Sequence, residues 1–194
     1  YYGNILSDTD IESLTEAGVS WNDVYPTYGH WTNAEKALEV THSDGNMSTC
    51  MKIESISTRQ EPTAVVTVIR MKDSAYPFYV NICYRAYNDV DMIETWTEIE
   101  NQEKKPVRLT RFDSGSLPIR YGNVWLTHLT GSINNEGRLV QEPLERGMLV
   151  LRNKDGVRNS HTDHSEVMFS LDGKPMENSG QVIGAALCYS GNYE

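Results

Sequence analysis

Two histidines and an aspartate lie close together in the segment His161-Thr-Asp163-His164, and all three are side chains that bind metals. A zinc site needs several such ligands converging on one point. The segment leads into a strand-like stretch, and on a strand residues three apart point to opposite faces. We therefore interpret it as the polar end of a strand whose imidazoles bond to backbone or carboxylate groups. A metal-dependent enzyme using these three residues is the alternative, although the sequence predicts neither a metal nor a cofactor.

Paired carboxylates are the second chemistry to consider, because glycosidases place two of them at a set separation. Acidic side chains near aromatic residues or turns are abundant, and they are Glu94, Glu98, Glu100, Asp113, Glu136 and Glu142. Abundance identifies no pair, so we interpret them as a solvated face. The chain also has no Gly-x-Ser-x-Gly, His-Glu-x-x-His or phosphate-binding glycine motif. The sequence therefore predicts no catalytic residue in this chain.

The aromatic loop, defined as residues 25–33, has the composition of a ligand or subunit contact. It gathers two tyrosines, a histidine and a tryptophan around Pro26 and Gly29. Aromatic rings can stack on sugars while placed polar groups bond to their hydroxyls, which is how ligand sites are usually built. The candidate contact residues are Tyr28, His30, Trp31, Thr32 and Asn33. The alternative is a loop that only covers the edge of the fold.

Alternating apolar and polar residues predict that short β-strands position these groups. Strands are predicted over residues 64–70, 77–85, 92–100, 107–112, 123–130, 147–151, 166–171 and 182–189. In residues 92–100 the glutamates share one face, which indicates an antiparallel sheet with one side in water. Regularly spaced turn signals favour a sandwich or barrel, and helix is limited to one turn over residues 8–16. The predicted fold class is all-β.

The bulk composition limits which classes of partner are expected for this chain. The net charge of −10 repels phosphate backbones and anionic membranes, so neither nucleic acid nor membrane is expected as a partner. No apolar run approaches the roughly 20 residues of a membrane span. The three cysteines have no Cys-x-x-Cys spacing and are expected to be buried thiols.

No linker divides the chain, which predicts one domain over residues 1–194. The final Ser-Gly-Asn turn has no partner strand, which suggests a piece of a longer protein.

A series of sequence blocks resembles the N-terminal domain of glycoside hydrolase family 36, the bacterial α-galactosidases or melibiases. The blocks are Tyr1-Tyr-Gly3, Tyr25-Pro-Thr-Tyr-Gly29, Trp96-Thr-Glu-Ile-Glu-Asn101, Leu129-Thr-Gly131, Glu142-Pro-Leu-Glu-Arg-Gly147, Gly156-Val-Arg-Asn-Ser-His161 and Val182-Ile-Gly-Ala-Ala-Leu-Cys-Tyr-Ser-Gly-Asn192. Together, and in order, they cover nearly the whole chain. The resemblance implies an antiparallel β-supersandwich of the galactose-mutarotase-like kind.

The resemblance implies a non-catalytic part of a retaining α-galactosidase. In the family the nucleophile and acid/base aspartates lie on a (β/α)8 barrel, so residues 1–194 would stop before the last sandwich strands and that barrel. The implied roles are scaffold, homo-oligomerisation and completion of a pocket for an α-galactoside in the full-length enzyme. The stretch ending at His161 would belong to the sandwich scaffold, without a metal. Both the bacterial cytoplasm and the periplasm are compatible with this.

The aromatic loop departs from the family pattern. Where many members read Gly-Asp-Phe-Arg-x-Pro-Ala, this chain has Trp31-Thr-Asn-Ala-Glu-Lys-Ala37. Thr32 and Ala34 thus replace an aspartate and an arginine in a loop that, in some oligomeric members, reaches a neighbouring subunit's active site. The same contact would need different side chains here. An autonomous carbohydrate-binding module is therefore the alternative function.

Overall fold

The computed structural model describes residues 25–29, 35–117, 119, 123–145 and 148–194. Within these residues the secondary structure is almost entirely β. The strands are β1 Leu38–Thr41, β2 Met51–Gln60, β3 Ala64–Asp73, β4 Phe78–Tyr87, β5 Ile93–Asn101, β6 Arg108–Phe112, β7 Trp125–Thr130, β8 Arg138–Pro143, β9 Asp163–Ser170 and β10 Val182–Ala186. The helical element in these ranges is a 3₁₀ helix, Asn159–His161. No helix in the described ranges is long and apolar enough to cross a membrane.

The strands belong to two compact units that divide after residue 118. In the first unit, β2, β3, β4 and β5 form an antiparallel sheet in sequence order, while β1 pairs with β6 in a separate antiparallel ribbon. In the second unit the sheet order is β10-β9-β7-β8, and every neighbouring pair is antiparallel. Sequential hairpins account for most of these pairings, as expected when strands are joined by short turns.

The four-stranded sheet of the first unit has an apolar face and a charged face, because side chains alternate along a strand. The register places Ile69 beside Ile82 and Met71 beside Val80 on the apolar face. On the opposite face, Arg70 pairs with carboxylates from β2 and β5. This confirms the prediction that the glutamates of β5 lie on a solvated face.

The hydrophobic core of the first unit joins the aromatic loop to the sheets. Its buried members are Tyr25, Ala37, Leu38, Val40, Met71, Phe78, Val80 and Ile82. Burying a side chain of this size stabilises the fold by about 1.5–3 kcal/mol. Because Tyr25 is one of them, the first residue of the aromatic loop is anchored by the core.

The second unit buries a larger proportion of polar groups in the residues that the structure describes. Its buried hydrophobic residues are Val124, Leu126 and Leu171, and its buried polar residues are Thr127, His128, Asn153 and Ser170. Burying a polar group costs free energy unless it is hydrogen-bonded. Among these residues Nδ1 of His128 and the hydroxyl of Ser170 have no hydrogen-bond partner, whereas Asn153 is bonded through both atoms of its amide.

Most of the strand predictions are confirmed. The predicted strands correspond to β3, β4, β5, β6, β7, β9 and β10, whereas β1, β2 and β8 were missed. The strand predicted over residues 147–151 is wrong in its described part, residues 148–151, which form no strand. The edge position next to β7 is occupied by β8. Because β8 comes earlier in the chain than residues 147–151, its pairing with β7 closes a smaller loop than theirs would. The helical turn predicted over residues 8–16 lies outside the described residues.

Candidate functional site

The first residues of the aromatic loop are fixed beside β1. The N–H of Tyr28 donates to the carbonyl of Leu38 at 3.1 Å, and the N–H of Ala37 donates to the carbonyl of Pro26 at 2.8 Å. Thr27 and Leu38 also form a parallel bridge. Tyr28 is nevertheless 45% exposed. Main-chain bonds thus hold this tyrosine in place while its side chain stays available for contact.

The position after Tyr28 requires glycine. Gly29 has a φ of +101°, which side chains rarely tolerate. A Cβ at this position would lie 2.7 Å from the Cα of Ser48 and 2.9 Å from the nitrogen of Thr49. Without a side chain the two segments approach closely enough for the N–H of Thr49 to donate to the carbonyl of Tyr28 at 2.8 Å.

Beneath this contact lies the His42 network, defined as His42, Thr49 and Glu103. The imidazole Nδ1 donates to Glu103 Oε1 at 2.8 Å, and Nε2 is paired with Thr49 Oγ1 at 3.1 Å. The side chains of His42 and Glu103 are 0% and 3% exposed, and Thr49 is fully buried. The second carboxylate oxygen of Glu103 accepts from the N–H of Ser43 at 3.0 Å. Each of these three buried polar side chains therefore has a partner.

Glu103 is the charged member of the network. Its burial by itself would raise the pKa of the carboxyl group, but the hydrogen bonds from Ser43 and His42 outweigh burial and hold that pKa below its usual value of 4.5. The carboxylate is therefore ionised at neutral pH and can only accept hydrogen bonds. This fixes Nδ1 of His42 as the donor.

An aromatic stack fixes the plane of the His42 ring. Its centroid lies 3.8 Å from that of Tyr76, and the two rings are nearly parallel at 7°. The Tyr76 hydroxyl donates to Asp44 Oδ2 at 2.8 Å. The pKa of Asp44 is lowered, first by the N–H of Asn46 and then by Tyr76. The imidazole is thus oriented both in its plane and by its hydrogen bonds.

The order hydroxyl, imidazole, carboxylate is also that of a hydrolytic triad, in which the histidine activates a nucleophile. In this chain the hydroxyl of Thr49 and the ring of His42 are both buried, so a substrate could not reach them. Thr49 uses its main chain to bond the aromatic loop instead. The arrangement is therefore suited to holding a loop in place and not to nucleophilic catalysis.

A second set of contacts lies on the two flanks of the aromatic loop. Arg111 pairs with Glu35 and with Asp113, the latter at 3.2 Å. The hydroxyl of Tyr25 donates to the carbonyl of Asp113 at 3.2 Å. Burial is the main cause that raises the pKa of Tyr25 to about 12. The hydroxyl is therefore a permanent donor, and both flanks of the loop are tied to the end of β6.

The predicted contact residues divide into two groups. Tyr28 is described, and the structure gives it the exposure and the main-chain support set out above. His30, Trp31, Thr32 and Asn33 lie outside the described residues, and their role as contact residues stays a prediction.

The histidine segment is held by separate partners. His161 Nε2 lies 3.3 Å from Glu136 Oε1, and His164 Nδ1 lies 3.8 Å from Glu166 Oε2. Asp163 accepts from the N–H of Arg152 at 3.1 Å. Within the described ranges no group of three or more His, Cys, Asp and Glu side chains is arranged to hold a metal. His161 thus lies against a carboxylate, whereas the 3.8 Å contact of His164 is longer than a hydrogen bond and its Nε2 is buried without a hydrogen-bond partner.

The second unit contains a cavity of about 410 Å³. It is lined by Asn153, Gly156, Val157, Asn159, Ser165, Cys188, Tyr189, Ser190, Gly191 and Tyr193. Its volume falls in the range of small-molecule sites. Amide, hydroxyl and aromatic groups make up most of this wall, and none of these side chains is charged at neutral pH. Such a lining suits a neutral ligand with several hydroxyl groups.

One wall of the cavity is built by the Asn153 network, defined as Asn153, Gly156, Thr162 and Gly191. The amide nitrogen of Asn153 donates to the carbonyls of Gly156 at 2.6 Å and Gly191 at 2.8 Å. Its amide oxygen accepts from Thr162 Oγ1 at 2.9 Å and from the N–H of Asp155 at 3.1 Å. Asn153 is only 1% exposed, and its side chain joins three separate segments.

The three residues that organise these networks, His42, Glu103 and Asn153, were not predicted from the sequence. A sequence signal was present for His42 and Asn153, because each of these two residues directly precedes an x-Asp-Gly turn. These turns are Ser43-Asp-Gly45 and Lys154-Asp-Gly156. Polar side chains next to such turns often bond to the backbone of the turn. Glu103 lies in a lysine-rich polar turn, and nothing in its neighbourhood indicates burial.

Solved structures of α-galactosidases share this fold. AgaA from Geobacillus stearothermophilus in complex with stachyose gives a TM-score of 0.79 at 22% identity, covering 87% of this chain and 25% of that one. The Lactobacillus brevis α-galactosidase gives 0.78 at 21% identity, covering 87% and 24%. The galactosidase domain of the α-galactosidase-sucrose kinase AgaSK gives 0.80 at 21% identity, covering 87% and 25%. The chain thus spans about a quarter of their length. No curated protein sequence matches it.

The strands of the described residues pair antiparallel and the helix among them is a single 3₁₀ turn, and the solved relatives share this fold, which confirms the predicted all-β class. The family model for the glycosyl hydrolase family 36 N-terminal domain matches residues 1–194, and the chain belongs to this family. The resemblance inferred from the sequence blocks is thereby confirmed.

Proposed function

We propose that this chain is the non-catalytic N-terminal domain of a retaining α-galactosidase that hydrolyses terminal α-galactosides. The observation that carries the proposal is the family match over residues 1–194. It is supported by solved relatives that are α-galactosidases, with stachyose bound in one and raffinose in another. The substrate of the full-length protein would accordingly be an α-galactoside.

The proposed layout places residues 1–194 in one domain whose last strands, and a catalytic (β/α)8 barrel, lie elsewhere on the same polypeptide. The fact that the chain spans about a quarter of its solved relatives supports this layout. Three of the acidic residues considered above each lie against a different partner. Glu94 is paired with Arg85, Glu98 with Asn81, and Glu136 with His161. A glycosidase acid and nucleophile are instead expected on the barrel.

Within that enzyme the domain would serve as scaffold and in homo-oligomerisation, and the aromatic loop would contact sugar or a neighbouring subunit. The exposure of Tyr28 above a buried support favours this role, because its ring is available for contact while its main chain is held in place. The contact residues proposed are Tyr28, His30, Trp31, Thr32 and Asn33. The side chains differ from the aspartate and arginine of many members, so the sugar contact would be made by aromatic and amide groups.

Hydrolysis of an aryl α-galactoside tests the proposal in the full-length protein. Wild type should turn over the substrate, whereas residues 1–194 alone should not. Trp31→Ala and Tyr28→Ala should each lower kcat/KM by about tenfold, the effect of removing one central aromatic contact. Met176→Ala, which removes a large side chain that is 72% exposed in the second unit and lies outside the cavity lining, is the control and should retain activity. Turnover by residues 1–194 would overturn the proposal, as would full activity in both loop variants.

The alternative is an autonomous carbohydrate-binding module, and the cavity in the second unit is the observation that favours it. Its uncharged polar lining and Tyr189 fit a sugar. Cys188 in the wall is an exposed free thiol, whereas Cys83 is a buried one. Under the leading proposal, galactose or raffinose at about 10 mM should leave maleimide labelling of Cys188 unchanged. This concentration is well above the dissociation constant of a specific site. Saturable protection of Cys188 by sugar, lost in Ser165→Ala, would favour the module.

A further inference from the structure

We propose that the His42 network is a positioning device for Tyr28, setting the orientation of this residue for the contact made by the aromatic loop. That contact rests on the proposed function. The positioning itself depends only on residues that the structure describes.

Thr49 is the link between the network and the loop. Its N–H donates to the carbonyl of Tyr28 at 2.8 Å, and its own carbonyl accepts from Thr27 Oγ1 at 2.7 Å. Its hydroxyl meanwhile pairs with His42 Nε2 at 3.1 Å. Thr49 therefore holds two consecutive loop residues with its main chain while its side chain is held by the imidazole. A shift of Thr49 would move both loop residues with it.

His42 in turn is fixed by groups that solvent cannot replace. The bond to Glu103 is 2.8 Å long, and the side chains of both residues are nearly inaccessible to water. The stack with Tyr76 sets the ring plane. Because a buried donor that loses its partner finds no water, the arrangement has a strong preference for one geometry.

The backbone at Tyr28 needs such an external support. Its N–H is held by Leu38, but its carbonyl belongs to the peptide that precedes Gly29, a residue with unusual conformational freedom. Without the bond from Thr49, this peptide plane could rotate and Tyr28 would lose its fixed orientation. The hydrogen bond from Thr49 selects one orientation, and the left-handed φ of Gly29 is part of that orientation.

Several titratable groups surround the imidazole. Glu103 and Asp44 are acidic, and both have a lowered pKa in this structure. Tyr76 stacks on the ring, and its own hydroxyl is bonded to Asp44. Protonation of Glu103 removes the charged acceptor of His42. The support of Tyr28 should accordingly weaken in acid.

Amide hydrogen exchange tests the proposal on this chain without any sugar. Thr49→Val removes the hydroxyl at constant shape, and Thr49→Ser keeps it. In Thr49→Val the amides of Tyr28 and Thr49 should exchange about tenfold faster than in wild type, as expected for losing one buried hydrogen bond. Those of Ile69 and Ile82, in the middle of the sheet, should not change. Thr49→Ser should behave like wild type.

Glu103→Gln supplies a second variant, which keeps the side-chain shape and removes the titration. In wild type, protection of the Tyr28 amide should fall as pH drops below about 4.5, whereas in Glu103→Gln it should be independent of pH in this range. Unchanged exchange at Tyr28 in Thr49→Val would overturn the proposal. Equal acceleration at Ile82 would overturn it too, because the network would then only stabilise the unit as a whole.

The consequence for function is measured in the full-length protein. Thr49→Val should raise KM for an aryl α-galactoside about threefold to tenfold with kcat nearly unchanged, because a contact is misplaced while the catalytic groups stay intact. A looser Tyr28 with an unchanged KM would overturn the positioning role. Inactive wild-type full-length protein would overturn the proposed function only, since the exchange measurements do not depend on it.

Discussion

The two units of this chain each hold a loop with a buried polar residue, but they use different chemistry. In the first unit the residue is His42, and its partner is the ionised carboxylate of Glu103. In the second it is Asn153, whose neutral amide is satisfied by two carbonyls, a hydroxyl and an N–H. Both residues directly precede an x-Asp-Gly turn.

The difference shows what each choice of side chain provides. An amide offers two donors and two acceptor positions on one rigid plane, so Asn153 can join three segments without a charge. A histidine and a glutamate make fewer, stronger bonds, and they couple the structure to pH. The first unit should therefore respond to acid through its network, and the second should be sensitive to the loss of its central residue.

The largest effect is expected for Asn153→Ala. This change removes four hydrogen bonds, and the polar groups left in a buried site should lower the free energy of unfolding of the second unit by about 3 kcal/mol. Urea titration followed by circular dichroism provides the measurement. Asn192→Ala is the control, because its amide oxygen accepts one exposed bond, from the N–H of Gly156. Comparable losses in the two variants would show that Asn153 is not a central residue.

An intermediate effect is expected from acid. The folded-state pKa of Glu103 is lowered, so its contribution is fully present above the unfolded value near 4.5 and is lost as pH falls through the lower folded value. As pH falls below about 4.5 the first unit should therefore lose stability through this group. Glu103→Gln should make the acid-induced loss smaller than in wild type, with the remainder coming from Asp44, Glu98 and Glu100, whose pKa values are lowered as well. Asn153→Ala should keep the wild-type slope. An acid-induced loss of wild-type size in Glu103→Gln would contradict the contrast between the two units.

The smallest effect is expected from a matched pair of tyrosine hydroxyls. Tyr193 donates to the carbonyl of Asp163 at 2.6 Å in a half-buried position, so Tyr193→Phe should cost about 1 kcal/mol. Tyr76 donates to Asp44 at an exposed position, and Tyr76→Phe keeps the ring stack on His42, so its unfolding midpoint should match wild type. Urea midpoints measured in parallel check both. A larger loss for Tyr76→Phe would mean that its hydroxyl, and not its ring, supports the network.

How far the sequence predicted the structure depended on the kind of signal. β5 was predicted from its alternation, because a half-solvated strand must repeat every two residues. β8 was missed because its alternation is weak, and the strand at residues 147–151 was predicted instead. The aromatic loop was found by composition, since two tyrosines, a histidine and a tryptophan in one loop are conspicuous. The residues of the His42 network beneath it were not found, because a single histidine beside a turn has no periodicity.

The sequence by itself determined the all-β class, the solvated face of β5, the family and the position of the aromatic loop. These depend on composition, on alternation between neighbouring residues and on the order of short blocks. Only the tertiary structure decided which polar side chains are buried together. His42 meets Glu103 across 61 residues, and Asn153 meets Gly191 across 38. Hydrogen bonding between such distant residues is set by how strands pair and turns close, and no local pattern of residue types encodes it.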